Sequence, residues 1–124
     1  MDWLILTLPL TSQTRGMIGD EEFALMKPSA HLINIARGPT VKEESLVKTL
    51  KEGRLAGASL DVFEVEPLPA SSELWNMRNG IISSRMTGIL EKHFEALTDL
   101  FCDNLKRFMA GEKLLKLVDK SHVS

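Results

Sequence analysis

The residues best suited to chemistry in this 124-residue chain are a cation and two acids that each follow an apolar run. Arg37 ends Asn34-Ile35-Ala36 and precedes Gly38. Asp61 follows Ala58-Ser59-Leu60, and Glu66 comes five residues later, directly before Pro67. If the apolar runs are parallel strands, all three side chains sit at the carboxyl edge of one sheet, where open α/β sheets take their ligands. A guanidinium fork matches a carboxylate bidentately. Together the three groups suit an anionic or carbonyl substrate and a cofactor. Each also has a plainer reading. Arg37 could pair with a surface acid, a contact worth little, and Asp61 could be an ordinary strand-end acid. On residue type alone Glu64 competes with Glu66.

The elements that must hold these residues follow from hydrophobic periodicity. Trp3 to Leu8 is a continuous apolar run, as in parallel strands buried on both faces. Thr11 to Gly19 is a polar loop. Asp20 caps a short helix with Glu21 and Glu22 in its first turn, where the dipole favours acids. Phe23, Leu25 and Met26 give that helix its apolar side, and Pro28 ends it. Ala30 to Ala36 is the next strand. Glu43 to Glu52 is a helix with Leu46, Val47 and Leu50 on one face and Gly53 as its stop. Leu55 to Val62 is a third strand, in which Gly57 permits close packing. Glu66 to Ser72 is a loop that Leu74 and Trp75 pack down, and Gly80 to Ser83 is a short fourth strand. Strands alternating with helices predict a parallel α/β sheet. From Ile89 to Ala110 the stripe Leu90, Phe94, Leu97, Phe101, Leu105 and Phe108 predicts one long helix stopped by Gly111. The tail after Val118 is expected to be loose.

Composition narrows the classes. Hydrophobic residues make up 44% and charged residues 26%, as in a globular domain with a core. A net charge of −2 offers no basic field for nucleic acid. The single cysteine, Cys102, excludes an internal disulfide and a cysteine metal cluster, and is expected to be a packed thiol. It fits a reducing, cytoplasmic setting. The apolar N-terminus is too short to span a bilayer and is broken by Pro9. No metal site is expected. His31 begins a strand at the end away from the ligand edge, His93 lies on the last helix, and His122 is in the tail.

Several short motifs, taken in order, resemble one family. They are Leu8-Pro9-Leu10-Thr11 with Thr14, Met26-Lys27-Pro28, Asn34-Ile35-Ala36-Arg37-Gly38, Gly57-Ala58-Ser59-Leu60-Asp61-Val62-Phe63, Glu66-Pro67-Leu68 and Asn104-Leu105. At these spacings the chain resembles the C-terminal part of the NAD(P)-binding domain of the D-isomer-specific 2-hydroxyacid dehydrogenases, a group that includes glyoxylate/hydroxypyruvate reductases. The resemblance implies the second half of a Rossmann-like sheet, with residues 1–124 forming one incomplete cofactor domain. The glycine-rich turn that such a domain needs is absent from this sequence, as is a substrate domain. The resemblance also implies NAD or NADP as cofactor and a small 2-oxo or 2-hydroxy acid as partner. Arg37 would hold the substrate carboxylate and carbonyl. Glu66, rather than Glu64, would orient the catalytic histidine and raise its pKa, as a neighbouring negative charge does. Leu8, Pro9, Leu10, Ala36, Arg37, Asp61 and Gly88 would line the cofactor.

One position departs from the family. In Ser83-Ser84-Arg85-Met86-Thr87-Gly88, Ser84 and Arg85 stand where the resemblance places a proline and the catalytic histidine. Histidine exchanges a proton near neutrality, whereas arginine stays protonated in proteins. Arg85 is therefore expected to form a static ion pair with Glu66 or to bind an anion. The chain is expected to be a fragment or degenerate member of the family, weakly active or inactive. The alternative is a non-catalytic interaction module. In strand order 3-2-1-4-5-6 the strand at Trp3 would pair with an absent one, leaving an apolar edge open to self-association or a partner chain. A nucleotide-binding subunit without chemistry is disfavoured by the missing phosphate-cradling glycines.

Overall fold

The computed structural model describes residues 2–88 and 92–118. They fall into two compact units, Met1–Met86 and Thr87–Ser124.

The first unit is a four-stranded parallel sheet with helices between the strands. Its strands are β1 (Trp3–Leu6), β2 (His31–Asn34), β3 (Gly57–Leu60) and β4 (Gly80–Ile82), hydrogen-bonded in the order β1-β2-β3-β4. Helix α1 (Asp20–Ala24) lies between β1 and β2, and α2 (Glu43–Lys51) between β2 and β3. This is a partial Rossmann-like α/β sheet. The row Leu6–Asn34–Leu60–Ile82 crosses all four strands near their carboxyl ends. The ladder continues past it, with the Asp61 N–H donating to Asn34 O at 3.0 Å and the Ser83 N–H to Leu60 O at 2.9 Å.

Alternation along each strand separates two faces. One carries Leu6, Leu32, Asn34, Ala58 and Leu60, all buried. They pack with Phe23, Val41, Leu46 and Leu50 into one core. The other face carries Trp3, Ile5 and Ile81, which are 58%, 54% and 69% exposed. The continuous apolar run at the N-terminus therefore does not mean burial on both sides. Its strand is also shorter than the expected Trp3 to Leu8, because the chain turns away before Pro9, which has no N–H to donate. The exposure of that face has a separate cause. Among the described residues, helices cover only one face of the sheet, and β1 has a single neighbour.

Helix α1 differs from expectation in its cap and its apolar side. Gly19, not Asp20, is the N-cap, and Glu22 Oε2 accepts the Gly19 N–H at 2.8 Å. That bond holds the Glu22 carboxyl below its ordinary range. Asp20 instead accepts the Ser45 hydroxyl at 3.0 Å and so ties α1 to α2. Phe23 is buried but Leu25 is 88% exposed, and the helix stops at Ala24, well before Pro28. Helix α2 agrees with its periodicity to within a residue, and Gly53 follows it at a φ of +65° that glycine adopts without strain. Strands β2 and β3 are also shorter than expected, because the residues at their ends turn into loops that side chains clamp.

The second unit contains α3 (His93–Met109), with Gly111 beyond it at φ +69°. The expected start at Ile89, the stripe residue Leu90 and the tail after Val118 lie outside the described residues. No residue of α3 is buried. Phe94, Leu97, Phe101, Leu105 and Phe108 form the expected stripe, but it is exposed, and Cys102 is exposed rather than packed. The Asn104 amide clamps the chain after the helix, accepting the Leu115 N–H at 2.7 Å and donating to Leu115 O at 3.2 Å. No helix among the described residues is long and apolar enough to cross a membrane.

Candidate active site

The carboxyl edge of the sheet brings Arg37, Asp61, Glu66 and Arg85 together, each through a different local device. Arg37 follows β2. Its position is fixed by the buried Asn34 amide, which accepts the Ala36 N–H at 3.1 Å and donates to Arg37 O at 3.2 Å. The Thr40 hydroxyl adds a bond to Arg37 O at 2.6 Å. The backbone is thus held while the side chain stays exposed, with Nη1 donating to Ala36 O at 2.7 Å. Asn34 and Thr40 are positioning residues that residue type alone did not single out. The signal was available in Asn34, which opens the strand-end motif.

Gly38 explains how this turn meets the next one. A Cβ there would stand 1.8 Å from Phe63 O, so only glycine lets the two backbones cross. The crossing sets the end of β2 against the loop that carries Glu66.

Asp61 is 4% exposed. Its Oδ1 accepts the Ser83 hydroxyl at 2.6 Å and the Met86 N–H at 2.8 Å, and its backbone O accepts the Arg85 N–H at 3.1 Å. These three bonds fold residues 83–86 into a turn in which Arg85 takes a φ of +50°. A non-glycine residue reaches that region only when its surroundings impose it. Asp61 supplies those surroundings.

Glu66 bridges two partners. Oε1 accepts the Phe63 N–H at 3.0 Å, and Oε2 accepts Arg85 Nε at 2.5 Å. The Glu66 side chain is 28% exposed and that of Arg85 57%. Burial pushes the Glu66 carboxyl up. The bonds from Arg85 and Phe63, with the positive charges of Arg85 and Arg37, outweigh it and leave the carboxyl below its ordinary range. Glu64 is exposed, and its backbone N–H donates to Glu43 Oε2 at 3.1 Å. Trp75, expected to pack its loop down, is 52% exposed and anchors it by donating Nε1–H to Pro69 O at 2.9 Å. Leu74 does the packing.

At the end of β1, Thr11 and Thr14 tie the chain after Leu8-Pro9-Leu10 into a turn. The Thr14 hydroxyl donates to Pro9 O at 2.8 Å, and the Thr11 N–H donates to Thr14 Oγ1 at 2.8 Å. Gly88 belongs to the second unit, and a Cβ there would meet nothing within 4 Å. His31 starts β2 and stacks on Trp3 at a ring separation of 4.8 Å, at the amino end of the sheet. Among the described residues no group of three or more His, Cys, Asp or Glu could hold a metal ion.

A half Rossmann sheet with an arginine and two acids at its carboxyl edge has the architecture of a nucleotide-cofactor oxidoreductase domain. Residues 1–86 match the family described as D-isomer specific 2-hydroxyacid dehydrogenase, NAD binding domain, and the chain belongs to it. A glyoxylate reductase from Thermococcus gammatolerans is 44% identical over 122 residues, covering 98% of this chain and 36% of that protein. A glyoxylate/hydroxypyruvate reductase B from Erwinia tasmaniensis is 58% identical over 78 residues, 63% of this chain and 24% of the relative. In crystal structures, a D-isomer specific 2-hydroxyacid dehydrogenase from Xanthobacter autotrophicus Py2, in complex with NADPH and MES, superposes with a TM-score of 0.87. It is 39% identical, over 96% of this chain and 48% of that one. An NADPH-dependent glyoxylate/hydroxypyruvate reductase from Sinorhizobium meliloti, with NADP and sulfate, gives 0.87 at 34% identity over 98% of this chain and 39% of that one. The matched part of the chain thus spans about a quarter to a half of the length of these proteins.

In such a sheet a dinucleotide runs along the carboxyl edge, past the chain after β1 and β2. Beyond β1, Pro9 is exposed and Leu8 and Leu10 are half-buried, whereas Ala36 beyond β2 is buried, its N–H donating to Asn34 Oδ1 and its O accepting from Arg37 Nη1. No glycine-rich turn able to cradle a pyrophosphate occurs in this sequence.

Proposed function

We propose that this chain is the distal half of the cofactor domain of a 2-hydroxyacid dehydrogenase of the glyoxylate/hydroxypyruvate type, with its acid–base step impaired. Residues 1–124 would form one incomplete NAD(P)-binding domain, working in the cytoplasm on a small 2-oxo acid. Leu8, Pro9, Leu10, Ala36 and Asp61 would line the nicotinamide end of NAD or NADP. When bound, that cofactor supplies the hydride. Arg37 would hold the substrate carboxylate through its fork, presented by the Asn34 and Thr40 clamp on its backbone. Reduction also needs a proton delivered to the new hydroxyl. Arg85 stands where the family's histidine is expected, and a guanidinium does not release protons at working pH. Glu66 is tied to Arg85, so it has no imidazole to orient.

The observation that carries this reading is the Arg85 Nε–Glu66 Oε2 pair at 2.5 Å. It places on the acid a cation that stays protonated and so cannot serve as the base. The test is Arg85→His in a chain that includes the glycine-rich half, followed by NAD(P)H oxidation with glyoxylate or hydroxypyruvate. General acid catalysis contributes about 10²–10⁴-fold, so turnover should rise within that range. An unchanged rate would overturn the role given to position 85.

A second reading, a non-catalytic interaction module, is favoured by one observation. Trp3, Ile5 and Ile81 are exposed on one face of the sheet, and β1 forms its open edge. Such edges recruit further strands. Light scattering that returns a monomer at all concentrations would sink it.

A further inference from the structure

The apolar stripe of α3 reads the same from either end. It is centred on Phe101, with Leu97 and Leu105 four residues to either side and Phe94 and Phe108 seven residues to either side. All five side chains are exposed, the three phenylalanines by 66% or more. Steps of three, four and seven return side chains to one line along a helix. A stripe that is symmetric in spacing and in residue type is its own complement. Two copies laid antiparallel about Phe101 place Phe94 on the partner's Phe108, Leu97 on the partner's Leu105 and Phe101 on the partner's Phe101. Such a contact is isologous, with a two-fold axis between the two Phe101 rings, as in most homodimers.

The charges beside the stripe select this direction. At about 100° per residue, Glu95 and Lys106 fall on the same flank of the helix, one near each end. An antiparallel pair brings like flanks together, with opposite ends side by side. Glu95 then faces the partner's Lys106, and Lys106 faces the partner's Glu95. A parallel pair would also match the stripe, but it sets opposite flanks together and leaves these charges at different heights. Asp99 and Asp103 lie on the back of the helix, away from the contact. Asp103 holds Lys106 only loosely, at 3.8 Å, with the lysine side chain 80% exposed.

We infer that α3 is a homodimerisation helix. Its stripe packs antiparallel on the same stripe of a second copy, and a Glu95–Lys106 pair closes each end. This rests neither on the reductase reading nor on the open face of the sheet, which is a different surface. A single helix pair is a small interface of the transient class, so its test must trap the pair.

The trap is Cys102, the chain's single cysteine, which is exposed and lies on the same flank as Glu95 and Lys106. One residue from the centre of the stripe, it comes close to the partner's Cys102 in an antiparallel pair. In a parallel pair the two thiols stand on opposite sides. The intact chain is diluted in series and treated with a short bismaleimide. The expected result is a covalent dimer whose yield saturates with concentration. Glu95→Lys and Lys106→Glu should each weaken dimerisation by about tenfold, because each turns two attractions into repulsions. The two reversals combined should restore it. An effect on helix stability alone would run the other way. Lysine near the N-terminus and glutamate near the C-terminus both oppose the helix dipole, so the combined variant would be the worst of the three. Phe101→Glu sets two carboxylates against each other at the axis and should abolish the crosslink, whereas Ile5→Lys, on the sheet, should leave it unchanged. The proposal is overturned by any of five results: no crosslink in the parent, a yield that rises linearly with concentration as random collision does, a crosslink that survives Phe101→Glu, a combined reversal no better than either single one, or loss of the crosslink in Ile5→Lys.

Discussion

At Glu66 and Arg85 one ion pair joins the loop after β3 to the turn after β4, and its contribution to stability depends on pH. The Glu66 carboxyl is lowered in the fold by Arg85 and the Phe63 N–H. A carboxyl lowered on folding contributes stability that is fully present above its unfolded pKa and is lost as pH falls through the lowered folded value. Glu66→Gln should therefore cost stability at neutral pH and progressively less in acid. Urea titrations at a series of pH values would measure the gap, and a gap that stays constant down through the carboxylate range would contradict the assignment. At this scale the sequence was legible where chemistry depends on residue type. Arg37, Asp61 and Glu66 could be named from their places after apolar runs, although residue type left Glu64 competing with Glu66 and only the family resemblance chose between them. Asn34 was visible only as the first residue of the strand-end motif, and Thr40 not at all, because their work is to clamp backbone atoms, which residue type does not announce.

Among the elements, the crossing at Gly38 is the most constrained. A methyl group at this position meets the backbone carbonyl of Phe63 at 1.8 Å, and no rotamer change can relieve a clash with backbone. Gly38→Ala should push the 63–66 loop away and loosen the Glu66–Phe63 bond. Overpacking of this kind costs about 1–3 kcal/mol, visible as a lower urea midpoint. A Gly38→Ala variant as stable as the parent would mean that the loop moves freely. Helix α2 was legible because its leucines repeat at helical spacing and glycine closes it. Helix α1 was less so. With five residues it has little periodicity to read, and Gly19 offers no side chain to mark a cap. In β1 the apolar run was read as two-sided burial, but hydrophobicity records what a strand can pack against, not what is there to cover it. The exposed stripe of α3 makes the same point for a helix: the spacing was right and the burial was not.

For the molecule as a whole, the open face of the sheet has the larger consequence. Trp3 and Ile5 on β1 and Ile81 on β4, at the two opposite edges of the sheet, stand on the same side, each more than half exposed, and among the described residues the edge of β1 beside Trp3 and Ile5 is unpaired. Monomeric proteins rarely leave a contiguous apolar patch with a free strand edge, and those that do associate through it. Light scattering on the chain should therefore show a mass that rises with concentration. Ile5→Lys places a charge on the edge strand of this face, a device that natural edge strands use against pairing. Because Ile5 is 54% exposed, the substitution should change stability by no more than about 0.5 kcal/mol, while shifting the chain toward monomer. If the parent is already monomeric, the face has no affinity for a second copy. If the variant associates as strongly as the parent, the contact lies elsewhere, and the exposed stripe of α3 becomes the surface to change next. In either case the core of β2 and β3, which lies on the opposite face of the sheet, should keep its cooperative unfolding unaltered.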